Sequence, residues 1–83
     1  MTTRAEILVN AFRTYPGRNL DGVVWVGGMC VRSVELDGPN TVSVMVDGVD
    51  DPHFRITNPP LRTSAGIEDP VRALAAVIRR YTG

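Results

Sequence analysis

The chain has 83 residues, enough for one small domain that buries roughly 60–65% of its unfolded surface. Apolar residues make up 43%, which excludes a disordered chain, and nine basic residues balance nine acidic ones. That balance excludes attraction of the whole chain to nucleic acid or anionic membranes, so any such binding needs a segregated patch.

All nine basic residues are Arg, and Lys is absent. Arg makes bidentate and stacked contacts that Lys cannot. Here the Arg residues are scattered, and with many Val, Gly, Asp and Ala they point instead to a GC-rich genome, a high-GC bacterium or its phage. Cys30 is the only cysteine, which fits a reducing compartment and excludes a disulfide framework. Residues 1–6 lack a basic stretch followed by an apolar one, and no apolar run approaches ~20 residues. The expectation is a cytoplasmic protein.

Thr3 and Glu6 have the spacing of a capping box. Ala5, Leu8, Val9, Phe12 and Tyr15 then share one helical face, until Pro16-Gly17 ends the pattern. This predicts a helix over about 4–15. Residues 18–22 are turn-like. Short strands are expected over 23–26, 29–36, 41–47 and 53–57, divided by Gly27-Gly28, by Asp37 to Asn40 and by Gly48 to Pro52. Residues 58–67 form an irregular connection stiffened by Pro59-Pro60. Asp69 as N-cap and Pro70 as first helical residue then open a helix over about 70–82, with Val71, Leu74, Ala75, Ile78 and Tyr81 on its apolar face.

The expected fold class is α+β, in the order α-β-β-β-β-α. A three- to four-stranded antiparallel meander carries the N- and C-terminal helices packed on one face. Val34, Leu36, Val42, Val44, Val46, Phe54 and Ile56 form the sheet face beneath the helices, and Phe12, Leu74 and Val44 should be deeply buried.

Turn lengths set the expected register. Asp37 opposite Thr41 puts Val34 against Val44; Asp47 opposite His53 puts Val44 against Ile56. The open face then carries the rows Glu35-Ser43-Thr57, Ser33-Met45-Arg55 and Val31-Asp47-His53. Gly27-Gly28 is either a hairpin turn or a bulge in one long strand. As a two-residue hairpin it pairs Trp25 with Cys30, both pointing inward. Val24, Val26, Met29 and Val31 would then join Ser33, Met45 and Arg55 as a partly apolar interaction face.

Motifs for chemistry are sparse. His53, the only histidine, has Asp47, Asp50 and Asp51 nearby in sequence, a spacing that matches no EF-hand or zinc motif. Asp-rich turns satisfy local amides without a ligand. Asp47 and His53 are expected as a pH-sensitive cross-strand pair. Cys30 reads as a small core residue, and Ser33 and Ser43 lack a nucleophile elbow. Gly22, Gly27 and Gly28 do not open a helix, and without Lys they make no phosphate loop. No cofactor or metal is expected.

The α-β-β-β-α part is similar in outline to double-stranded-RNA-binding domains. Those domains resemble one another in a Lys-rich start to the second helix. This chain has Glu68-Asp69-Pro70 there, which repels phosphate. The reading is therefore a non-enzymatic interaction protein acting through the open sheet face, its simplest partner a second copy in a homodimer. The alternative is a nucleic-acid module using Arg72, Arg79 and Arg80.

Overall fold

The computed structural model describes residues 2–82. The chain runs α1 (Arg4–Arg13), β1 (Val24–Val26), β2 (Met29–Leu36), β3 (Thr41–Asp47), β4 (His53–Thr57) and α2 (Pro70–Thr82). The strands form one antiparallel meander in the order β1-β2-β3-β4. Both helices contribute to the core on one side of it. No helix among the described residues is long and apolar enough to cross a membrane.

Local chemistry sets the helix ends. Thr3 N–H donates to Glu6 Oε1 at 2.9 Å, and Glu6 N–H donates to Thr3 Oγ1 at 3.3 Å, which completes the capping box. Helix α1 stops at Arg13 with Thr14 as its C-cap, slightly short of the expected end. Tyr15 lies just beyond, and its hydroxyl reaches Asp69 Oδ2 at 3.3 Å. Asp69 caps α2 by accepting from Arg72 N–H at 3.1 Å.

The core forms one cluster. Leu8 and Phe12 from α1, Val71, Leu74 and Ile78 from α2, and Val34, Val42, Val44 and Val46 from the sheet are all buried. Leu36 departs from expectation. It shares the strand parity of Val34, but it is the last residue of β2 and is 48% exposed.

The first hairpin reverses the faces expected of it. Gly27 and Gly28 form a two-residue turn with φ of +57° and +76°, and Trp25 does pair with Cys30. Yet Val24, Val26, Met29 and Val31 all point into the core, while Trp25 stands out in solvent. The cause is a bulge at Arg32: Val31 pairs with Val46, Ser33 pairs with Met45, and Arg32 is the extra residue between them. One inserted residue inverts the parity of everything before it. Four buried apolar side chains at about 1.5–3 kcal/mol each outweigh burial of Trp25. Arg32 carries the irregularity because its long charged side chain is at home in water.

The last hairpin slips by two residues from the expected register. His53 lies opposite Met45, Arg55 opposite Ser43 and Thr57 opposite Thr41. On the helix side Val44 therefore meets Phe54 and Val42 meets Ile56. The connection from Val46 to Pro52 is wider than expected and is closed by Val46 N–H donating to Pro52 O at 2.9 Å.

Candidate functional site

The open face of the sheet is the surface on which strand alternation collects polar chemistry. Trp25 of β1 is 66% exposed and Met45 of β3 is 37% exposed. Around them the face is laced by polar pairs. Arg32 Nη1 donates to Asp47 Oδ2 at 2.7 Å, and Arg55 Nε donates to Asp37 Oδ2 at 2.5 Å. The hydroxyls of Thr41 and Thr57 lie 2.9 Å apart, and Ser43 Oγ lies 2.6 Å from His53 Nε2.

Several expected site residues are relocated. Val24, Val26, Met29 and Val31 are core residues beneath the helices and leave the interaction face. Ser33, Met45 and Arg55 remain on the open side, now in the rows Glu35-Ser43-Arg55 and Ser33-Met45-His53. The partly apolar surface expected there is replaced by a polar one with Trp25 as its largest apolar group. The Asp47–His53 pair does not form. Asp47 sits opposite Cys30 and bonds Arg32, whereas His53 bonds Ser43. The two-residue slip removes the cross-strand contact on which their coupling depended.

Cys30 is buried, but on the side opposite its neighbours Met29 and Val31, and it lies outside the core cluster. Its Sγ is 3.8 Å from Asp47 Oδ2. Burial pushes the thiol pKa above its ordinary value, and the Asp47 carboxylate pushes the same way. Raised this way, the thiol is a poor nucleophile at neutral pH.

The Ser43–His53 contact was hidden from the sequence by the register slip. It joins a hydroxyl to an imidazole, the first element of a nucleophilic pair. A working pair also needs a group to orient the histidine and free amides to hold an oxyanion. Among the described residues no third side chain bonds His53, and Ser43 lies mid-strand on a β3 paired on both sides. The geometry is that of a cross-strand surface bond. No three metal-ligating side chains converge among the described residues.

The C-terminal helix keeps Arg72, Arg79 and Arg80 on its exposed side. Arg72 is drawn to Asp69 at 4.0 Å, and Arg79 lies over the Gly27-Gly28 turn, 3.0 Å from where a Cβ on Gly28 would stand. Of the three, Arg72 alone has an ion-pair partner among the described residues.

Neither a protein-family model, nor a curated protein, nor a solved structure matches this chain.

Proposed function

We propose that the protein is a small non-enzymatic interaction module that docks a partner protein on the open face of its sheet, with Trp25 as the anchor. The observation that carries this reading is the 66% exposure of Trp25. A solvent-facing Trp sheds a large apolar surface when covered, and Trp is the residue most enriched at the energetic centres of interfaces. The polar pairs Arg32–Asp47 and Arg55–Asp37 suit the surrounding rim, where hydrogen bonds and water persist.

The anchor supplies its own probe, because Trp25 is the only tryptophan. Affinity capture from cells of the source, with wild type and Trp25→Ala, identifies species retained by the wild type alone. Titrating such a species should shift Trp25 emission to shorter wavelength as the ring leaves water. Loss of an exposed side chain should change stability by less than about 0.5 kcal/mol, so the variant remains a fair control. The reading is sunk by identical capture with Trp25→Ala. A retained species that is a nucleic acid, lost steeply with salt, replaces it with the Arg72, Arg79, Arg80 reading.

A further inference from the structure

The outer edge of β4 is unpaired, and it borders a trough. Pro52 O accepts from Val46 N–H at 2.9 Å, and Asn58 N–H donates to Asn40 O at 2.7 Å, so the even-numbered positions turn their backbone groups toward β3. Backbone groups alternate in direction along a strand. The N–H and C=O groups of His53, Arg55 and Thr57 therefore point outward, and β4 ends the sheet. At the other edge β1 has three residues and is bridged by Arg18 at Val24. Beyond Val31, β2 also lacks a strand on that side, but β4 is the edge that borders a trough.

A trough of about 800 Å³ runs beside it. Phe54, Ile56 and Tyr81 line it, with the Phe54 and Tyr81 rings stacked at 6.4 Å between centroids. Phe54 and Ile56 pack on the core but are only half-buried. Asp50 and Asp51 line it as well. Neither carboxylate has an ion-pair partner among the described residues, whereas Arg55, the cation on the strand, is neutralised by Asp37. The unpaired charge of the trough is negative.

We propose that the β4 edge binds an extended segment of a partner protein as a fifth strand. Its alternate apolar side chains lie on Phe54, Ile56 and Tyr81, and an Arg or Lys side chain reaches Asp50 and Asp51. Backbone bonds to the His53, Arg55 and Thr57 positions supply affinity, and alternate side chains supply selectivity. The carboxylates favour cationic segments and speed their encounter. A second copy of this chain fits less well, because its Arg55 arrives already bound to its own Asp37. This edge is distinct from the Trp25 face, so either surface can fail without the other.

The test uses two fluorescein-labelled peptides of alternating Val and Thr, one with Arg at each end and one with Glu. Fluorescence polarisation should show the Arg peptide binding about tenfold more tightly. The double variant Asp50→Asn, Asp51→Asn should abolish that preference. Arg55→Pro deletes an outward N–H without touching the β3 ladder, and should abolish binding of both peptides. Circular dichroism checks that it folds; if it does not, the peptide pair and the Asp double variant carry the test. Equal or absent binding of the two peptides overturns the proposal, as does full binding by a folded Arg55→Pro. A dimer in sedimentation that Arg55→Pro dissociates assigns the edge to a second copy, and also overturns it.

Discussion

The two outer hairpins of the sheet differ in how they end. In β1–β2, Val24, Val26, Met29 and Val31 are all buried and the Gly27-Gly28 turn lies against α2. In β3–β4, Phe54 and Ile56 are half-covered, and a wide loop carries unpaired carboxylates. A single bulge at Arg32 commits the first hairpin to the core, while the last keeps an edge and a trough open. Stability and surface chemistry are thus divided between opposite margins of one sheet.

The sharpest way to break this contrast is to delete side chains on each side. Leu74→Ala and Phe12→Ala empty covered sites and should each cost about 2–5 kcal/mol, a large share of the stability of so small a domain. Ile56→Ala, at the half-covered margin, should cost about 1 kcal/mol. Urea melts giving equal losses in the fully covered core and at the β4 margin would remove the distinction.

The two turns offer a finer comparison. Gly28 and Gly48 both have positive φ, at +76° and +82°. Alanine at either should cost about 1–2 kcal/mol in backbone strain. At Gly28 the new Cβ also meets Arg79 Nη2 at 3.0 Å, whereas at Gly48 it meets nothing within 4 Å. Gly28→Ala should therefore melt lower, by only a small margin, because the end of a flexible Arg side chain can swing away. A lower melting temperature for Gly48→Ala contradicts the packed-turn assignment.

The smallest effect is at Cys30. Because burial and Asp47 raise its thiol pKa, it should react slowly with a disulfide reagent at neutral pH and faster as pH rises through the folded pKa. The folded pKa lies above the unfolded one, so the linked stabilisation is present below the unfolded pKa and lost on raising pH through the folded value. Asp47→Asn removes the second cause and should speed the reaction only modestly, since burial is the first. Reaction as fast as that of the unfolded chain would show the thiol to be uncovered.

Much of the fold was legible in the sequence because its signals are local. Thr3 and Glu6, Asp69-Pro70, and the turns at Gly27-Gly28 and Asp37 to Asn40 each mark an element by their own chemistry. Which way the first hairpin faced was not legible from turn counting. The signal was in the apolar pattern: Val24, Val26, Met29 and Val31 fall out of phase with Val34, and only an inserted residue lets both sets face the helices. The slip at β4 had no such signal. A shift of two returns every side chain to its own face, so hydrophobic patterning cannot detect it. That silent step separated Asp47 from His53 and brought His53 to Ser43.

Asn40 sits where three distant stretches meet. Its Oδ1 accepts from Ala5 N–H at 3.1 Å, its Nδ2 donates to Asn58 Oδ1 at 3.2 Å, and its carbonyl accepts from Asn58 N–H. Thr3 Oγ1 adds a bond to Pro39 O at 2.9 Å. One turn residue thus splices the start of α1 to the exit of β4, positions far apart along the chain. The ends of these segments cannot fray independently, because releasing one strands the polar groups of the others. Local opening at this pole of the molecule is a collective event, and the start of the first helix shares the fate of a loop some fifty residues downstream.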